Sequence, residues 1–235
     1  MALPKLTVPE YTITLPSTQE EIKYRPFLVK EEKVLLIALE SEEENTINDA
    51  VVKIVNECTY GASGYQETPL FDLEYLFINI RGKSVGDVLE LSVTCPDDEK
   101  TSVDVKIDLA DIAVLEYNNH TNEISLTDDI KVIMDYPNTQ IIKAMRGAKT
   151  NAEISFNLVM NCVAEIHEGE AVYTRQDFSE KELKEFFEGL TSEMFEKMNG
   201  FFETMPKVRH VIKVTNPKTK KKGEVILEGL ADFFG

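Results

Sequence analysis

At 235 residues and 43% hydrophobic content, the chain can bury one large core or two smaller ones, which excludes a disordered polymer. A formal net charge of −17 sets its surface against a phosphate backbone and excludes nucleic acid as the expected partner. Three scattered cysteines, Cys58, Cys95 and Cys162, exclude a disulfide framework, and no apolar run approaches the roughly 18 residues that a membrane span needs.

Residues 1–27 carry Pro4, Pro9, Pro16 and Pro26 among alternating residues such as Tyr11, Ile13 and Leu15. That pattern predicts an extended arm or edge strand, packed on its own domain or on a neighbour. The start MALPKLTVPE has no basic region followed by an apolar core, so no secretory leader is expected. Leu28 to Glu40 predicts a buried helix, with Val34, Leu35, Leu36, Ile37 and Leu39 crowded together. Thr46-x-x-Asp49 has the form of a capping box, and Ile47, Ala50, Val51, Ile54, Val55 and Cys58 follow at helical spacing. Gly61 and Gly64 mark the next loop. After Pro69, the run Phe71 to Ile80 is apolar over most of a helix circumference, which predicts a central helix ending near Gly82 and Gly86. The period then changes to two: Leu89, Leu91, Val93 and Cys95, a Pro96-Asp97-Asp98 turn, and Val103, Val105, Ile107 and Leu109 predict a hairpin.

Short strands are expected at Ile112 to Leu115, Glu123 to Leu126 and Lys131 to Met134. Helices are expected through Ile141 and Met145, and then through Ile154, Leu158, Val159 and Cys162, with Gly147 to Asn151 between them. His167-Glu168-Gly169-Glu170 predicts a turn. Ser179-x-x-Glu182 is a capping box opening a helix with Leu183, Phe186, Phe187 and Leu190 on one face. Thr191 caps the next helix, through Met194, Phe195, Met198, Phe201 and Phe202, which stops before Pro206. His210 to Val214, an Asn216-Pro217-Lys218-Thr219 turn and Val225 to Leu227 predict a second hairpin, followed by Leu230, Phe233 and Phe234. It echoes the first, since a leucine stands thirteen positions past each turn proline: Leu109 after Pro96, and Leu230 after Pro217. One such hairpin per half predicts an α+β fold of two lobes. Residues 1–27 are the arm, 28–136 an N-terminal α+β lobe, and 137–235 a mainly helical lobe ending in a hairpin.

The stretches FDLEYLFINIRGKSVG (71–86), CPDD (95–98), YRPFLVKEEKVLLIALES (24–41), FFETMPKVRH (201–210) and VILEGLADFFG (225–235) resemble the baseplate hub assembly proteins of T4-like tailed phages. The resemblance implies a protein made in the host cytoplasm that helps build the tail baseplate hub, as an assembly factor or as a hub subunit of the virion. It implies hub or tape-measure proteins as partners, with a second copy of the chain as a further candidate. Some members of that family carry paired cysteines at such hairpin turns, as in a zinc ribbon. Here Cys95 stands alone at the first turn, while Asn216 and Thr219 occupy the second, so the hairpins are zinc-ribbon-like without a full ligand set.

No cofactor, metal or catalytic residue is expected. Cys162-x4-His167 has no second half, Gly82-Lys83-Ser84 lacks the upstream glycine and strand of a phosphate loop, and His120, His167 and His210 accompany no nucleophile motif. A rival of another class, a hub-associated hydrolytic or metal-dependent enzyme, would need a cleft with converging ionisable groups. The candidate partner-binding residues are apolar and basic. Phe186, Phe187, Met194, Phe195, Met198, Phe201, Phe202 and Met205 form a Phe- and Met-rich face for core packing or docking. Lys218, Lys220, Lys221 and Lys222 form the one basic concentration, a solvated tip or a contact for an acidic partner.

Overall fold

The computed structural model describes residues 6–62 and 67–233, so Pro4, Gly64 and Phe234 lie outside the described residues. The fold is α+β, with small antiparallel sheets and helices grouped into two compact units. One unit comprises residues 1–115 and 207–235, and the other residues 116–206. This division differs from the expected boundary near residue 136.

The first described elements form a hairpin of β1 (Tyr11–Thr14) and β2 (Glu21–Tyr24), so the expected extended segment packs on its own domain. Leu15, Ile22, Tyr24 and Phe27 are buried in the core of their own unit, because alternation puts one face of this hairpin inward. Helix α1 (Val29–Glu40) follows, tied to β2 by a buried ion pair in which Arg25 Nη2 meets Glu31 Oε1 at 2.9 Å. Only one side of α1 is covered. Leu35 and Ala38 are buried, whereas Leu36 and Ile37 are 54% and 57% exposed, which corrects the expectation of a buried helix.

Helix α2 (Glu44–Cys58) begins two residues before Thr46, with Glu43 at the N-cap. Thr46 sits inside the first turn and its hydroxyl donates back to Glu43 Oε2 at 3.0 Å, so the expected capping box does not form. The expected apolar face of α2 is nonetheless the buried one: Val51, Ile54, Val55 and Cys58 enter the core. Helix α3 (Leu70–Val85) is central, with Leu73, Leu76, Phe77 and Ile80 packed on α2 and the first hairpin. Asp72, in its first turn, is buried and accepts hydrogen bonds from the Ser17 amide at 3.2 Å and from the Ser17 hydroxyl. Burial raises its pKa above the ordinary carboxylate value.

Strands β3 (Val88–Thr94) and β4 (Ser102–Asp108) form the expected hairpin, in register from Val88 opposite Asp108 to Thr94 opposite Ser102. A 3-10 turn at Leu109–Asp111 leads to β5 (Ala113–Leu115). The chain then builds the second unit.

This unit starts with β6 (Glu123–Ser125) and β7 (Ile130–Met134), then helices α4 (Thr139–Ala144) and α5 (Asn151–Asn161), the latter capped by Thr150. Next come β8 (Val163–Glu168) and β9 (Ala171–Thr174), so the expected turn at His167–Glu170 joins two strands that sequence periodicity misses. The reason is a register irregularity. Glu165 pairs with Ile133 but Val163 pairs with Met134, so one residue of β8 is extra. The bulge puts Val159, Cys162, Val163 and Ile166 at offsets of 0, 3, 4 and 7, which imitate a helix face continuing out of α5. The four strands form one sheet in the order β6-β7-β8-β9. Helices α6 (Glu180–Glu188) and α7 (Ser192–Thr204) close the unit, with the predicted capping box at Ser179 and cap at Thr191 both formed.

The chain re-enters the first unit through β10 (Lys207–Thr215) and β11 (Lys222–Glu228), and a 3-10 turn spans Leu230–Phe233. β10 pairs with β11 on one side and with β5 on the other, and Lys207 stands opposite Leu115. The two ends of the inserted segment are therefore strand neighbours, and so the division falls at residues 115 and 207.

Candidate functional site

The two echoing hairpins both lie in the first unit, and their turns touch. Asn216 is 1% exposed. Its Oδ1 accepts from the amides of Lys218 (2.8 Å) and Thr219 (3.2 Å), and its Nδ2 donates to Asp97 Oδ1 at 2.8 Å. Thr219 Oγ1 donates to the other oxygen of Asp97 at 2.5 Å. The Asn216 and Thr219 side chains thus reach across to the Cys95 turn and clasp a carboxylate. These bonds hold the Asp97 carboxyl below the ordinary range. Gly223 serves the same contact, since a β-carbon there would stand 2.6 Å from Pro96 Cγ.

The turn itself recurs. In Leu15-Pro16-Ser17-Thr18-Gln19, Cys95-Pro96-Asp97-Asp98-Glu99 and Asn216-Pro217-Lys218-Thr219-Lys220, the first residue's carbonyl accepts from the amide of the fifth at 2.9, 3.0 and 2.9 Å. The fifth residue is left-handed each time, with φ of 59°, 53° and 64°. The fourth supplies a side-chain oxygen that accepts the amide two residues on: Thr18 from Glu20, Asp98 from Lys100, Thr219 from Lys221. Proline after the first residue presets φ for such a turn. Asp98, where a zinc ribbon would have its second cysteine, works as a turn carboxylate and also accepts from Thr101, which holds its pKa far below the usual range. The third copy, at Pro16, carries the same signal in the sequence, a proline three residues before an exposed polar residue.

Cys95 is buried, and burial together with Asp97 and Asp98 pushes its thiol pKa up, away from the thiolate a metal needs. Burial pushes Cys58 up to about 11 and Cys162 up to about 12. Among the described residues, no group of three or more His, Cys, Asp or Glu side chains is placed to hold a metal. His167 meets Glu165 at 2.7 Å on the sheet face that also carries the Lys131–Glu123 pair. His120 lies against the rings of Tyr136 and Phe201, with Nδ1 3.0 Å from Thr204 Oγ1 and Nε2 buried without a partner.

The Phe- and Met-rich face divides into two kinds of residue. Phe187, Met198 and Phe201 are buried in the core of the second unit, packed with Val132, Met134, Val159 and Leu183. Phe186, Met194, Phe195, Phe202 and Met205 are half-buried. Of these, Phe186 borders an open cleft of about 280 Å3 between α6 and the β7–β9 face of the sheet. Ile130, Ile166, Tyr173 and Phe178 line its apolar walls, and Glu168 and Glu182 are its charged residues. Sequence reasoning missed this cleft because Ile166, Glu168 and Tyr173, three of its eight lining residues, come from the unrecognised strands β8 and β9. In the first unit, Lys218, Lys220, Lys221 and Lys222 are all exposed at the tip of the β10–β11 hairpin.

A family model described as T4 bacteriophage base plate protein matches residues 8–235. The chain belongs to this family of phage base plate proteins. No curated protein and no solved structure matches it. The match runs through both units and includes all three proline turns, so the base plate family pattern belongs to the whole architecture. No helix among the described residues of this base plate protein is long and apolar enough to cross a membrane.

Proposed function

We propose that this base plate protein acts in assembly of the baseplate hub through contacts with hub or tape-measure proteins, and turns over no substrate. The observation that carries the reading is the family match across residues 8–235. The chemistry of the side chains supports it. The cleft of the second unit is apolar with two carboxylates at its edge, and one of these, Glu182, is engaged through Oε2 by the Ser179 amide and hydroxyl. A catalytic cleft needs several polar groups converging on one point. Exposed apolar side chains on α1 and beside α6 offer surfaces that a growing complex covers, and covering them keeps assembly intermediates from aggregating. The setting of this reading is the host cytoplasm.

The test is recovery of the tagged chain from infected cells, with its companions identified by mass spectrometry, alongside quantitation in purified virions. Stable hub companions with the chain absent from the virion support an assembly factor. Stoichiometric presence in the virion makes it a hub subunit instead. Isolation without phage companions contradicts both.

A further inference from the structure

The cleft of the second unit has an identifiable guest. Its floor is the inner face of the sheet, where Ile130 of β7 stands opposite Glu168 of β8, and Ile166 opposite Tyr173 of β9. Leu183 and Phe187 of α6 share a core with Val132 of that face, while Ile130 and Ile166 are only half-buried. Tyr173 is 42% exposed there, with Phe178 and Phe186 half-buried beside it. Strand β9 is the last in the order β6-β7-β8-β9, and all four of its residues are exposed. An open strand edge beside an apolar cleft suits an extended segment, which adds backbone pairing along the edge and seats alternate side chains in the cleft.

Charge selects the segment. Glu168 lies at the cleft, Glu170 is in the adjoining two-residue turn, and the Gly169 amide donates to the Asp129 carbonyl at 3.0 Å, which brings the Asp128–Asp129 loop to the same end of the sheet. Arg175 follows the other end of β9, past Thr174, and lies over Phe178, a wall of the cleft, at 5.8 Å. Lys131 is on the opposite sheet face, paired with Glu123. The turn end of the rim, beside Glu168, is therefore acidic on a chain whose net charge is −17. A small-molecule site adds a few polar groups converging within its apolar walls, whereas here the two carboxylates belong to exposed residues.

We propose that this cleft receives an extended segment of a partner protein in which an apolar side chain, seated between Tyr173 and Phe186, is flanked by lysine or arginine facing Glu168. The proposal rests on the protein-contact reading above and names the chemistry of the partner.

The test is titration of the full-length protein in 0.15 M NaCl with three capped seven-residue peptides: KSLKLSK, KSSKSSK and ESLELSE. The first is expected to bind about tenfold or more tightly than either control, since it alone carries both the anchor and the charge. Glu168→Lys and Tyr173→Asp, both at exposed positions, are expected to weaken it about tenfold each and leave the fold intact. Amide shifts on binding are expected to gather in residues 166–186. Equal binding of KSLKLSK and KSSKSSK, or binding that both variants leave unchanged, overturns the proposal. A wild-type dimer in sedimentation that Tyr173→Asp splits assigns the cleft to a second copy and also overturns it. Failure on these peptides, with phage companions still recovered from infected cells, counts against the cleft alone.

Discussion

The two units handle their hairpin turns differently. In the first, the Cys95 and Asn216 turns lock together through Asp97, β10 is paired on both sides, and Pro96 occupies the space over Gly223. In the second, the sheet ends on an exposed β9 and the space beside α6 stays open. The contrast lies in where side chains are used: polar turn residues of the first unit join two hairpins, while the turn between β8 and β9 in the second stands beside an apolar cleft.

The sharpest way to break this comparison is to empty a core. Phe201→Ala, which removes a ring packed on Tyr136 and His120, is expected to destabilise the second unit by about 3 to 5 kcal/mol, and Phe77→Ala to do the same to the first. Urea unfolding followed separately by probes in each unit checks both. A smaller loss is expected at the clasp. Gly223→Ala forces a β-carbon onto Pro96 and is expected to cost about 1 to 3 kcal/mol. Asn216→Ala removes the side chain that orders its own turn and reaches Asp97, and about 2 kcal/mol is expected from a buried, bonded amide. Equal stability of wild type and both variants in denaturant would show that the turns touch without holding one another.

Connectivity gives a different kind of check. Because Leu115 and Lys207 are strand partners, replacing residues 116–206 with a short glycine-serine loop is expected to leave the first unit folded, with native-like amide dispersion. Collapse of that shortened chain would contradict the division at those residues.

Much of the first unit was legible from pattern alone. The near-continuous apolar circumference of Phe71 to Ile80 could only be central, and the alternations around Pro96 and Pro217 define hairpins in any context. The association of those hairpins was not legible, since it depends on Asp97 meeting residues 119 and 122 positions away in sequence. In the second unit the capping residues Ser179 and Thr191 were readable because a cap is a local device. The cleft was hidden by the β8 bulge, which makes strand residues mimic helical spacing, and by β9, which has no buried face to alternate with. The buried Phe187, Met198 and Phe201 show the related difficulty that an aromatic stripe reads the same whether it faces a core or a partner.

Titration separates the units more gently. Burial lowers the pKa of His120, so the folded second unit favours neutral imidazole. A base whose folded pKa is depressed contributes stability above its unfolded value, near about 6.5, and loses it as pH falls below that value. His120→Phe is expected to flatten the stability profile between about pH 7 and 5. Asp97, held below the ordinary range, contributes above the unfolded carboxylate value of about 3.9 and loses that contribution only as pH falls below it. Thermal unfolding across pH, with probes in each unit, reads both windows.

The most direct measurement is hydrogen exchange on the complex recovered from infected cells, compared with the chain alone. Protection on partner binding is expected across residues 166–186, at β9 and the open side of α6, with the clasped turns at 95–101 and 216–221 unchanged. Protection confined to the first unit, with β9 exchanging as it does in the free chain, would contradict the account.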